Sequence, residues 1–205
     1  MSHEPSSHWE NVYATKDAAQ VSWFEETPAL SLELISAAYP GHGGVIDIGG
    51  GASRLAGALV EAGYAPVAVL DLSASALAVA KARLGAASKS VEWIVADVTQ
   101  WRSTTRYDVW HDRASFHFLT DPVQQQAYVE AMRSALASDG IAIIGTFAPD
   151  GPERCSGLTV ARHDAASIAA IIGQDFELVN EQRHEHLTPG GSVQQFQFST
   201  FRRAA

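Results

Sequence analysis

Four aspartates stand where short apolar runs end. Asp47 lies inside Val45-Ile46-Asp47-Ile48, Asp71 follows residues 66–70, Asp97 follows residues 91–95, and Asp112 follows residues 107–110. If those runs are neighbouring strands, the carboxylates share one rim. Like charges held close repel unless hydrogen-bond donors or a ligand satisfy them, so a cationic or polyhydroxyl ligand is the natural resolution. The first run leads directly into Gly49-Gly50-Gly51-Ala52-Ser53. Glycine lets backbone approach a ligand closely and tolerates positive φ. The same loop also has a plain structural reading, as a tight strand-to-helix turn.

The dinucleotide fingerprint asks for glycine at 49, 51 and 54, and position 54 is Arg54, so a nicotinamide cofactor fits poorly. Asp71 lies 22 residues after Gly49, one helix and one strand further on, where an acid meets a ribose diol. A carboxylate accepts from both hydroxyls. Its competing role is a helix cap, for which Ser73 is better suited.

Candidates for proton chemistry follow the fourth run, in Trp110-His111-Asp112-Arg113-Ala114-Ser115-Phe116-His117-Phe118. His111 and His117 have ordinary pKa values near neutrality and suit proton removal from a nitrogen, oxygen or thiol. Either reads equally as a polar group bonded within the loop. Arg113 is a carboxylate clamp or a structural partner of Asp112 or Asp121. The single cysteine, Cys155, is a pocket wall or an inert small hydrophobe. His111, His117, His163 and Cys155 show no recognised metal-ligand spacing, so no metal is expected. His184 and His186 alternate in a strand-like run and are expected on one face, toward solvent. The Trp23-Phe24 pair is a lid over a ligand or the anchor of an N-terminal arm.

The elements that carry these residues alternate. Residues 53–63 read as a helix with Leu55 and Leu59 on one face. Ser73 caps the next, with Leu77, Ala80 and Leu84 at helical spacing. Asp121-Pro122 opens a helix running to Leu136, residues 141–147 form a fifth strand, and Asp164 opens a helix to Ile172. Residues 176–183 and 193–201 face each other across Thr188-Pro189-Gly190-Gly191 as an antiparallel hairpin. Such alternation predicts an α/β fold with a seven-stranded, mostly parallel, doubly wound sheet. The C-terminal hairpin is antiparallel and its last strand is inserted. Residues 1–43, with Trp9, Tyr13 and a helical pattern from Pro28 to Ile35, are expected as an N-terminal helical cap on a single compact unit of residues 44–205.

The 205 residues carry 14 Lys plus Arg against 23 Asp plus Glu, a net charge of −9. That balance argues against nucleic acid, which is bound mainly through cations on phosphates. No run is long and apolar enough for a bilayer, and no secretory leader pattern is present, so a cytoplasmic location is expected.

These motifs, in this order, resemble the class I S-adenosylmethionine-dependent methyltransferases. The likeness rests on residues 45–53 with Asp47, Gly49, Gly50, Gly51 and Ser53, then Asp71-Leu72-Ser73, then Ala96-Asp97-Val98, then residues 108–112. The third glycine of the commonest pattern is replaced by Ser53. The resemblance implies S-adenosyl-L-methionine as cofactor and S-adenosyl-L-homocysteine as product. It places Gly49 and Gly51 under the methionine part, Asp47 near its ammonium, Asp71 on the ribose, Leu72 against adenine, and Asp97 with the Val98 backbone at the adenine edge. His111 or Asp112 is then expected to border the transferring methyl. The loop after the fourth strand is similar to one in a branch of protein-lysine methyltransferases, so a protein lysine and a small molecule are both open as acceptors. An inactive binding module that kept the fold is the rival reading.

Overall fold

The computed structural model describes residues 5–15 and 19–205. Seven strands form one sheet: β1 (Val45–Ile48), β2 (Val67–Asp71), β3 (Val91–Val95), β4 (Tyr107–Arg113), β5 (Leu136–Phe147), β8 (Phe176–Leu187) and β9 (Val193–Arg203). Their spatial order is β3-β2-β1-β4-β5-β9-β8. The first five pair in parallel, and β9 enters antiparallel between β5 and β8. The chain order reverses at β1, so the crevice beyond the carboxyl ends of β1 and β4 is the place where such sheets bind ligands.

Helices cover both faces. α2 (Ala29–Ala38), α3 (Leu55–Glu61) and α4 (Ala74–Leu84) go with Val45, Val67, Val69, Val109, Ile141 and Ile143 on one face. α5 (Pro122–Ala135) and α6 (Ala165–Ile172) bury Ile46, Ile48, Trp110, Ala142 and Ile144 on the other. Side-chain alternation assigns each strand residue to a face. Parallel strands buried on both sides explain why β1 and β2 read as continuous apolar runs. Caps stand where expected. Ser73 accepts from the Ala76 amide at 3.0 Å, Asp121 from Val123 at 2.8 Å, and Asp164 from Ser167 at 2.8 Å.

Several boundaries differ from the sequence reading. The closing hairpin is longer, to Leu187 and Arg203. β5 starts at Leu136, paired with Tyr107, and its register shifts before Val109 meets Ile141. The stretch between β5 and α6 holds a two-stranded hairpin, β6 (Arg154–Cys155) and β7 (Leu158–Thr159), turned by Ser156 and Gly157 at positive φ. Near the N-terminus, α1 (Pro5–Thr15) lies against α4, where Glu10 accepts a hydrogen bond from the Ser75 amide at 3.3 Å. Among the described residues, no helix is long and apolar enough to cross a membrane.

Candidate active site

A cavity of about 360 Å³ opens at the carboxyl ends of β1, β2 and β4. One side is built from Gly49, Asp71, Leu72, Ala96, Asp97, Val98 and Thr99. A smaller cavity of about 60 Å³ adjoins it, sharing Tyr13, Trp23, Gly49 and Arg113 and adding Asp47, Gly50, Ser53 and His111.

The glycine loop is a close-packed cradle. Gly49 has φ +64°, and a Cβ there would collide with Ser115 Oγ, which itself donates to the Ile48 carbonyl at 3.1 Å. At Gly51, φ is +44° and a Cβ would press on Asp71 Oδ2 and the Tyr13 hydroxyl. Arg83 fixes the far side of the loop by donating to the carbonyls of Ala52 and Ser53. Backbone is therefore the only thing the loop can present, which suits a ligand laid across it.

Asp71 is buried and accepts from the Ser73 amide at 2.8 Å and from the Gly51 amide of the glycine loop. Burial, with Asp47 nearby, pushes its carboxyl up to about 7. Beyond these two amides the carboxylate keeps acceptor capacity that the hydroxyls of a sugar diol would fill. Asp97 accepts from the Thr99 amide at 2.9 Å and the Thr99 hydroxyl at 2.7 Å, leaving it half-buried on the cavity wall.

The three candidates for chemistry separate. Asp47 and His111 are register partners on β1 and β4, so both point to the α2 face, where His111 Nδ1 lies 2.7 Å from Asp47 Oδ1. One residue on, Asp112 points to the opposite face. There it accepts from the amides of Ser115 and Phe116 and from the Tyr128 hydroxyl at 2.8 Å. It lines neither cavity and holds the turn after β4; burial raises its carboxyl to about 6. His117 is likewise turned into the core. Its ring packs on Phe118 and Phe147, its Nδ1 accepts from the Phe147 amide at 3.3 Å, and burial drives its imidazole down to about 3. Alternation in β4 and the short turn after it direct the side chains of Asp112 and His117 inward, away from both cavities.

Further residues complete the walls. Trp9 and Tyr13 from α1, Trp23, Phe118, Leu119, Cys155 and Leu158 line the larger cavity. Trp9 meets Trp23 edge-on with ring centroids 5.7 Å apart, and Phe118 at 5.1 Å. Arg113 pairs with Glu25 at 3.1 Å rather than with Asp112 or Asp121, and donates to the Trp23 carbonyl at 2.9 Å. His186 is buried, not solvent-facing; its Nε2 donates to the Ser22 carbonyl at 2.7 Å, and its Nδ1 lies 3.3 Å from Arg113. Cys155 is buried, and desolvation pushes its thiol up to about 11, against a reactive thiolate. Among the described residues, no group of three or more His, Cys, Asp and Glu side chains is arranged to hold a metal ion.

Residues 45–140 match the family model described as a methyltransferase domain. No curated protein sequence matches the chain. Among solved structures, one concerns conversion of a disulfide bond into a thioacetal group during echinomycin biosynthesis. It is 20% identical with a TM-score of 0.77, covering 97% of this chain and 93% of that one. The Burkholderia thailandensis 1,6-didemethyltoxoflavin-N1-methyltransferase, with 1,6-didemethyltoxoflavin and S-adenosylhomocysteine bound, is 20% identical with a TM-score of 0.72, over 98% and 87%. The N-methyltransferase NodS of Bradyrhizobium japonicum, bound to S-adenosylhomocysteine, is 16% identical with a TM-score of 0.70, over 98% and 100%. At these identities the likeness is one of fold. The matched methyltransferase domain over residues 45–140 and the inserted seventh strand give the chain the fold of the class I S-adenosylmethionine-dependent methyltransferases.

Proposed function

We propose that this enzyme binds S-adenosylmethionine along the Gly49-to-Asp97 side of the larger cavity and methylates a small, flat, largely apolar acceptor at its aromatic end. The cofactor side is supported by the loop that excludes a Cβ at Gly49 and Gly51 and by the buried Asp71 carboxylate on the cavity wall. Asp71 takes the ribose hydroxyls, Leu72 and Val98 the adenine faces, and Asp47 the ammonium. Bound there, the cofactor supplies an electrophilic methyl group on a sulfonium.

The observation that carries the acceptor reading is the Trp9–Trp23–Phe118 wall. Flat rings stack and pack edge-on against such a surface. Glu25 is already paired with Arg113 at that end, so among the described residues the aromatic wall offers no free carboxylate to a lysine ammonium. The Burkholderia neighbour, an N1-methyltransferase with 1,6-didemethyltoxoflavin and S-adenosylhomocysteine bound, supports a small-molecule acceptor.

The chain contributes position and dryness rather than a base. His111 has both ring nitrogens engaged, and His117 faces the core. Alignment of nucleophile with methyl and sulfur is a positional demand that a rigid cavity meets. Apolar walls also favour a transfer that cancels the sulfonium charge.

Thermal unfolding with S-adenosylhomocysteine or NAD tests the cofactor. A ligand at about a hundred times its dissociation constant adds about 2.7 kcal/mol, a rise of several degrees. A rise with NAD alone overturns the reading. Labelled-methyl transfer to a panel of small heteroaromatic amines, hydroxyls and thiols, beside lysine peptides, tests the acceptor. Transfer to the peptides alone restores the protein-lysine alternative.

A further inference from the structure

Asp47 stands in a three-residue chain beneath the glycine loop. Its Oδ1 lies 2.7 Å from His111 Nδ1, and His111 Nε2 lies 3.0 Å from Ser31 Oγ on α2. The relative exposures are 3% for Asp47, 1% for His111 and 2% for Ser31, yet all three border the smaller cavity. An ionised carboxylate only accepts, so Nδ1 carries a proton; in a neutral ring the Nε2 lone pair then takes the Ser31 hydroxyl as donor. Asp47 Oδ2 is left turned toward the loop, close enough that a Cβ on Gly50 would lie 2.3 Å from it.

We propose that Ser31 is a positioning residue for the cofactor seat. Its hydroxyl holds His111 neutral and Nδ1-protonated, so that Asp47 keeps its full negative charge for the cationic end of the ligand. Ser31 lies outside residues 45–140, so the helix before the matched domain completes that domain's site. A proton arriving at Nε2 would force Ser31 from donor to acceptor. It would also make the His111–Asp47 pair neutral overall, removing the attraction for a cation.

Other charged groups are arranged around this chain. Arg113 and Arg54 border the same cavity and oppose an imidazolium, while Glu25 on the same wall favours one and Tyr13 is held neutral by burial. Asp112, the next residue of β4, lies across the sheet. Asp71 acts on Asp47 through space and titrates near 7 itself. Its titration is common to every Ser31 variant and cancels in their ratio.

This inference rests on the cofactor reading above, and S-adenosylhomocysteine, which keeps the ammonium, is the probe. Calorimetric titration of wild type, Ser31→Ala and Ser31→Thr is run from about pH 5.5 to 9, spanning the histidine range. Ser31→Ala is expected to bind about tenfold more weakly near pH 6.5, the worth of one hydrogen bond to a charge-bearing network, and to approach wild type near pH 8.5. Ser31→Thr, which keeps the hydroxyl, tracks wild type throughout. Superimposable pH profiles for Ser31→Ala and wild type overturn the proposal. So does a loss equal at every pH that Thr fails to rescue, which marks a packing role. Ring ¹⁵N shifts give an independent readout: wild-type His111 shows the neutral Nδ1–H form at neutral pH, and an imidazolium there overturns the proposal. Wild type that binds at no pH instead fails the cofactor reading.

Discussion

Arg113, at the end of β4, and Glu25, in the segment leading to α2, form an ion pair of 3.1 Å that joins the N-terminal residues to the sheet beside the cavity. Side-chain exposures of 13% and 21% keep most solvent away. The same guanidinium donates to the Trp23 carbonyl and lies 5.3 Å over the Phe196 ring. Arg113→Met strands Glu25 and the Trp23 carbonyl, and removing one partner of a buried pair costs about 3 kcal/mol. Urea unfolding of Arg113→Met and of the double variant Arg113→Met/Glu25→Gln measures it. The double variant is expected to recover part of the loss; no recovery would assign the cost to the Trp23 carbonyl and the Phe196 contact.

Asp71 makes stability depend on pH in a direction opposite to an ordinary carboxylate. Its native pKa of about 7 lies above the unfolded value of 3.8. Between those values the native carboxyl holds a proton that the unfolded chain has lost, so stability falls as pH rises from about 4 to 7. Asp112, at about 6, adds a smaller decline of the same sign. Asp71→Asn removes the larger part, and the unliganded Tm of wild type should fall relative to the variant across that window. Homocysteine-cofactor binding runs the other way, strengthening as Asp71 ionises; parallel Tm curves for the two proteins would count against the buried carboxyl.

Much of this arrangement is legible in the text of the chain. The loop after β1, the acid after β2 and the inserted last strand follow from spacing and breaker residues alone. The division between His111 and Asp112 was legible too, because adjacent strand residues face opposite ways, yet their shared location at a strand exit suggests a shared site. Long-range partners were not legible. Ser31 reaches His111 across 80 residues and Glu25 reaches Arg113 across 88, and no local pattern announces either pair. His184 and His186 do share a face, as alternation requires, and half of the expectation fails because Phe196, Phe198 and Ser22 close over that face.

His117 separates a structural histidine from a catalytic one. Burial holds its imidazole at about 3, so it enters the native core neutral and lacks a partner for Nε2 among the described residues. The unfolded histidine takes a proton near its ordinary 6.5, and His117 therefore withdraws stability as pH falls below that value. His117→Leu removes this term and one stranded polar atom. The variant should bind S-adenosylhomocysteine as wild type does and lose less Tm between neutral pH and about pH 5. A large loss of binding would bring His117 back toward the site.

Trp23 lines both cavities, and its indole nitrogen donates to the Tyr13 hydroxyl at 3.2 Å. Tyr13 in turn stands over Gly51 and near Asp71. Trp23→Ala removes an aromatic wall, an edge contact to Trp9 and that hydrogen bond together, a change worth about 3 kcal/mol of stability. Trp23→Phe keeps the ring surface and loses the donor, at about 1 kcal/mol. If the wall holds the acceptor, Trp23→Phe keeps turnover on flat substrates while Trp23→Ala raises KM far more than it weakens S-adenosylhomocysteine. If Trp23 serves only to seat Tyr13, both variants weaken S-adenosylhomocysteine alike, since both break the bond to Tyr13. Calorimetry on the two variants beside KM on the best flat acceptor distinguishes a substrate wall from a support for the cofactor loop.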